Sequence, residues 1–127
     1  MCFGCGGKNT HGLRLSFSLD PAHKKITTTW IPLKEHQGYA DIVHGGMTAV
    51  VLDELIGNLL WKQGTPAVTA ELTVRFRKPA HVGRPLSCEA HLVESAGRVY
   101  RLKATAKNLQ GELIAEAEAR CVQMGHK

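Results

Sequence analysis

Long apolar runs, clustered charge and aromatic side chains are all scarce in this 127-residue chain. The longest mostly apolar stretch, residues 47–61, is broken by Asp53, Glu54 and Asn58. As a helix it would reach only about 23 Å, short of a bilayer core, so no membrane span is expected. Sixteen Lys and Arg against eleven Asp and Glu leave a net charge of +5, but the basic residues come in ones and twos. That pattern suits anionic ligands in general. Aromatic residues make up 6% and do not interleave with the basic ones, so nucleic acid is not an expected partner. The first residues lack the basic and apolar regions of a signal peptide, and a cytoplasmic location is the expectation. Four cysteines are then reduced thiols, with Cys88 and Cys121 acting as small hydrophobes in strand-like runs. Cys2 and Cys5, with His11 nearby, make half a zinc site without a second paired motif. A metal-free terminal turn is expected there, with no cofactor.

What is present is 43% hydrophobic sequence, enough for one domain over residues 1–127 with its own core. Leu13, Leu15, Phe17 and Leu19 alternate with polar residues, and a β-branched run at 26–30 follows the Asp20-Pro21 turn; both predict strands. An aperiodic polar loop from Pro32 to His44 is long enough to be functional. Gly45-Gly46 then opens a helix in which Val50, Val51, Leu52, Leu55, Ile56, Leu59 and Leu60 read as apolar on nearly every side, and Gly64-Thr65-Pro66 ends it. Four further strands are predicted at 67–77, 86–94, 99–107 and 113–123. The fold class is α+β, with a meander-rich antiparallel sheet. A helix apolar all round needs cover beyond one sheet, and a second copy of the chain would supply it.

The chemistry concentrates in His44-Gly45-Gly46 and in Asp53, nine positions after the histidine and out of place within an apolar helix. Backbone N–H groups at a helix start lack intrahelical partners and sit at the positive end of the dipole, which suits a developing oxyanion. Glycine lets a carbonyl approach that backbone closely. An oxyanion donor and a buried carboxylate are what water-driven acyl transfer requires. The bland alternative is a flexible helix start, a capping His44 and a satisfied acid. Helical periodicity places Asp53 with Gly46, Ala49, Val50 and Gly57, and Glu54 with Asn58 and, less closely, Trp61, so the two acids are expected to point different ways.

The run His44-Gly45-Gly46-Met47-Thr48-Ala49-Val50-Val51-Leu52-Asp53-Glu54 resembles the signature of hotdog-fold acyl-CoA thioesterases of the PaaI-like branch. The likeness extends to Cys2-Phe3-Gly4-Cys5-Gly6, Asn9, Gly12-Leu13-Arg14-Leu15, Gln37-Gly38-Tyr39, Ile42-Val43 and, after the helix, Thr69 to Phe76 with Pro79. The resemblance implies an antiparallel sheet wrapped around one long central helix, in homodimers or homotetramers with active sites between subunits. It further implies that Gly45, with Gly46 adjacent, polarises a thioester carbonyl. Asp53 of the facing subunit then acts as general base or nucleophile. His44 would hold the loop and helix start, Thr69 would orient the water or carboxylate, and Gln37 is a candidate substrate contact. Coenzyme A carries phosphates, which Arg75, Arg77 and Lys78 would meet, unless they form an ordinary solvated strand face. Met47, Leu60 and Trp61 would line or support the acyl pocket.

The leading expectation is therefore an enzyme that hydrolyses an acyl-CoA to free acid and CoA. A hotdog dehydratase would need an acid paired with a histidine around the substrate β-carbon, for which only His44 and Asp53 offer themselves. A non-catalytic module that binds acyl-CoA or another anionic ligand is the alternative.

Overall fold

A computed structural model describes Leu13 and residues 15–124. The Cys2, Cys5 and His11 group lies outside those residues, as do the other N-terminal motif positions up to Gly12, together with Arg14. Six strands form a single antiparallel sheet: β1 Ser18–Asp20, β2 Lys25–Trp30, β3 Ala67–Phe76, β4 Leu86–Ala96, β5 Val99–Lys107 and β6 Leu113–Gln123. Their order across the sheet is β1-β2-β4-β5-β6-β3. One helix, α1 Gly45–Lys62, packs against β2 through β6. It carries the chain from β2 to the far edge, so β3 is an edge strand ten residues long.

The packing follows from side-chain size. β5 and β6 turn Ala104, Ala106, Ala115, Ala117 and Ala119 toward the helix, and all are buried. These short side chains leave a shallow bed into which Leu52, Leu55, Ile56 and Leu59 fit, all fully buried. Removing one of those leucine side chains to Ala in such a bed costs about 2–5 kcal/mol.

The helix, β2 and the last four strands lie where the sequence places them, to within a residue or two. Two expectations are corrected. The first strand shrinks to Ser18–Asp20, and before it the Ser16 carbonyl accepts the Thr28 hydroxyl. Leu15 still packs in the core, with Leu13 and Phe17 against it, so the alternation reported burial and not pairing. The helix is not apolar all round: Thr48, Val51, Leu52, Leu55, Ile56, Leu59 and Leu60 form one buried face. Ala49, Val50, Asp53, Glu54, Gly57 and Asn58 form a half-buried strip beside that face, and Trp61, next along, is 68% exposed. Of the apolar residues counted in the sequence, only Val50 falls off the buried face, so the demand for cover is weaker than the composition implied.

Candidate functional site

The helix start is held by the preceding loop, which is pinned along its length. A 3₁₀ turn at Lys34–His36 is closed by the Leu33 N–H donating to His36 Nδ1 at 2.9 Å. Gln37 and Val43 then form a bridge, and Ile42 bridges to His81. The Val43 N–H donates to the Ala80 carbonyl and the His44 N–H to the His36 carbonyl. His44 thereby arrives as the N-cap of α1, and its Nδ1 accepts the Gly46 N–H at 2.9 Å. In the neutral ring the proton accordingly resides on Nε2.

The two glycines differ. The Gly46 N–H is committed to His44, so the expectation of a pair of oxyanion donors narrows to Gly45, whose amide meets no acceptor among the described residues. A β-carbon at either position would crowd a neighbouring ring, which would have to give way by a few tenths of an ångström. One on Gly45 would lie 3.1 Å from the Phe76 ring, and one on Gly46 would lie 3.0 Å from the His44 ring. Phe76, Arg77, Lys78 and Ala80 flank Gly45 in a groove of about 340 Å³.

Asp53 lies two turns further along the helix. Its Oδ1 accepts the Thr69 hydroxyl at 2.7 Å, and the Cys121 thiol faces Thr69 at 3.9 Å. Asp53, Glu54, Gly57, Asn58, Trp61 and Thr69 line a shallow groove of about 460 Å³. Both acids line this groove, yet consecutive helix positions are 100° apart and the two take different partners, Asp53 the Thr69 hydroxyl and Glu54 the Asn58 amide. Asn58 Nδ2 donates to the Glu54 backbone carbonyl at 2.8 Å and to its Oε2 at 3.3 Å.

The basic residues separate. Arg77 Nη2 pairs with Glu116 at 3.1 Å, and the Lys78 ammonium pairs with Glu112. Both line the Gly45 groove, whereas Arg75 is the β-ladder partner of Glu116, on the sheet face away from the helix. Gln37 Oε1 accepts the Asp41 N–H at 3.2 Å, which holds the loop tip. Leu60 is in the core, Met47 is half-buried at its margin, and Trp61 alone of those three lines the Asp53 groove. Phe76 and Cys121 are neighbours of the site to which the sequence assigned no role. Phe76 stands in the strand motif, but only the register reveals that Cys121 lies opposite Thr69. Among the described residues no three His, Cys, Asp or Glu side chains gather to hold a metal, and no helix is long and apolar enough to cross a membrane.

A six-stranded antiparallel sheet around one helix is the hotdog fold. The thioesterase superfamily profile matches residues 40–115, and the chain belongs to that superfamily. Human acyl-coenzyme A thioesterase 13 is 26% identical over 86 residues, which cover 65% of this chain and 61% of that protein. Among solved structures, the Escherichia coli PaaI protein from the phenylacetic acid degradation operon superposes with a TM-score of 0.82 at 19% identity. That match covers 91% of this chain and 83% of PaaI. The smu.793 protein of Streptococcus mutans, solved bound to acetyl CoA, gives a TM-score of 0.81 at 18% identity, covering 89% and 90%. These likenesses to solved structures establish the fold.

Proposed function

We propose that this chain is an acyl-CoA thioesterase of the PaaI-like branch, which hydrolyses its substrate to a free acid and CoA. The observation that carries the proposal is the Asp53 carboxylate, held by the Thr69 hydroxyl at 2.7 Å on an open groove of the helix. A water proton passes to Asp53 as the water oxygen attacks the thioester carbon. The carbonyl electron pair moves onto oxygen beside the Gly45 N–H. Collapse breaks the C–S bond, and the CoA sulfur leaves with the proton that Asp53 took. Direct attack by the carboxylate, through an anhydride that water opens, uses the same atoms. Arg77 and Lys78, at the far side of the Gly45 groove, would exchange their carboxylate partners for CoA phosphates, with Arg75 behind them on the strand.

The site needs two copies of the chain. Gly45 and Asp53 are eight residues apart on one helix, a separation of about 12 Å along its axis. A reacting carbonyl must lie within about 3 Å of an oxyanion donor and close to the base. Antiparallel helices from two subunits bring each Asp53 beside the other's Gly45. The edge strand β3 offers the means, since an unpaired ten-residue edge is a template for a second strand. A homodimer, or a tetramer built from two, follows.

The test is CoA release from short, medium, long and aromatic acyl-CoAs by wild type and Asp53→Asn, corrected for the protein's own four thiols. Turnover that collapses in the variant supports the reading. Equal rates in both proteins would overturn Asp53 as the catalytic group, and no turnover on any thioester would overturn the reading in favour of a non-catalytic acyl-CoA binder.

A further inference from the structure

Three elements converge on the Asp53 carboxylate. It projects from α1, Thr69 reaches it from β3, and Cys121 stands directly opposite Thr69 on β6 as its register partner. The β3 ladder slips between Thr69 and Glu71. A bulge at that point re-aims the strand's side chains, as bulges beside functional sites commonly do. Cys121 is 1% exposed, and its Sγ lies 3.9 Å from Thr69 Oγ1 with the thiol as donor. By contrast, Cys88, the other buried cysteine among the described residues, directs its thiol to the Leu86 carbonyl on β4.

From this geometry we infer that Cys121 is a positioning residue of the active site: its S–H donates to the Thr69 hydroxyl, which directs the hydroxyl's own hydrogen onto Asp53. The inference rests on the thioesterase reading of Asp53. A hydroxyl has one hydrogen to give and two lone pairs to fill. Asp53, when ionised, can only accept, so the hydrogen of Thr69 is used on the carboxylate and a lone pair is left for a donor. Cys121 is the donor that the structure places there. Accepting one hydrogen bond strengthens the one donated in turn. Burial raises the thiol above its ordinary range, the Thr69 contact opposes that rise and the Asp53 charge adds to it. At neutral pH the sulfur therefore carries its hydrogen and can act as donor. Sulfur is a weak donor, and the effect is one of alignment.

Raman spectroscopy of the S–H stretching band tests the contact without any substrate. The band that disappears in Cys121→Ser is that of Cys121, and Thr69→Val should move it to higher frequency as its acceptor is lost. A Cys121 band unmoved by Thr69→Val would overturn the inference, whether or not a substrate has been found. In turnover, Cys121→Ala should lower kcat about three- to tenfold, the worth of one modest hydrogen bond, with KM within about twofold of wild type. Cys121→Ser, which keeps a donor, should restore most of kcat. Wild-type kcat in Cys121→Ala, or a Cys121→Ser enzyme as slow as Cys121→Ala, would also overturn it. Failure of the underlying reading has a different mark, full activity in Asp53→Asn, which leaves the Raman result standing.

Discussion

His44 separates a positional role from a chemical one, and two substitutions tell them apart. Its Nδ1 accepts the Gly46 N–H at 2.9 Å, and the Gly45 amide is carried by the same turn. His44→Ala removes the cap. Loss of an N-cap costs about 0.5–2 kcal/mol, and because Gly46 is exposed, water replaces the lost acceptor and the cost should fall near about 0.5–1 kcal/mol. With an unfolding entropy near 2.1 cal/mol/K per residue, a chain of this length loses about 4 °C in Tm per kcal/mol. The expected shift is thus about 2–4 °C at fixed protein concentration. The effect on CoA release should be larger, about tenfold in kcat, because a helix start displaced by a fraction of an ångström misplaces the Gly45 donor. His44→Asn supplies a better capping side chain and should recover both quantities. The capping account is refuted if Asn restores Tm but leaves turnover at the Ala level, since the imidazole would then be taking part in the reaction. An unchanged Tm in His44→Ala would equally refute it.

Four other outcomes are expected. Gly45→Ala should lose most activity, because its β-carbon would sit 3.1 Å from the Phe76 ring. Adding Phe76→Ala should relieve the crowding, so a denaturant double-mutant cycle should show about 1 kcal/mol of coupling, and additive effects would refute the contact. His36 is buried, and burial, the larger effect, against the weaker pull of Glu35 holds its pKa below the ordinary value of 6.5. The unfolded chain thus takes up the proton first, and stability present in full above that value should be lost as pH falls through the depressed one. A His36→Phe variant should show a flatter slope over that range. Burial pushes the Cys88 thiol up to about 12, so alkylation of native protein at neutral pH should spare Cys88 until unfolding, as read by peptide mass spectrometry. Finally, inactive Asp53→Asn chains mixed through reversible unfolding with inactive Gly45→Val chains should regain activity. Random pairing into two-fold dimers leaves about a quarter of the sites intact if each is shared between subunits, and none if a single chain holds both groups.

The boundaries of α1 and of β4 to β6 were legible because each has local punctuation. Gly45-Gly46, Gly64 to Pro66, Ser95 to Gly97 and Asn108 to Gly111 lie at their ends, and the glycines at 64, 97 and 111 adopt positive φ, which that residue tolerates best. Asp53 was legible as well, as a carboxylate among aliphatic side chains. What escaped was every relation that needs a third dimension. The reach from Leu15 to Phe17 kept its burial alternation without strand pairing, since alternation reports which side is buried and not which neighbour is bonded. The uncovered strip of α1 was obscured by counting apolar residues without asking which angular sector the sheet fills.

The contact between Cys121 and Thr69 joins positions 52 residues apart, and only the register of β3 against β6 brings them together. A two-residue motif can therefore be recognised long before the third residue that orients it. The same reasoning bears on Gly45 and Asp53. Their spacing of eight residues reads in one dimension as a single signature, but helical rise turns it into about 12 Å. If both groups act on one carbonyl, as proposed above, a single chain holds them too far apart to do so. On that proposal a motif written on one helix defines a site only when the helix lies beside its own copy, and assembly through the edge strand β3 becomes a condition of the chemistry.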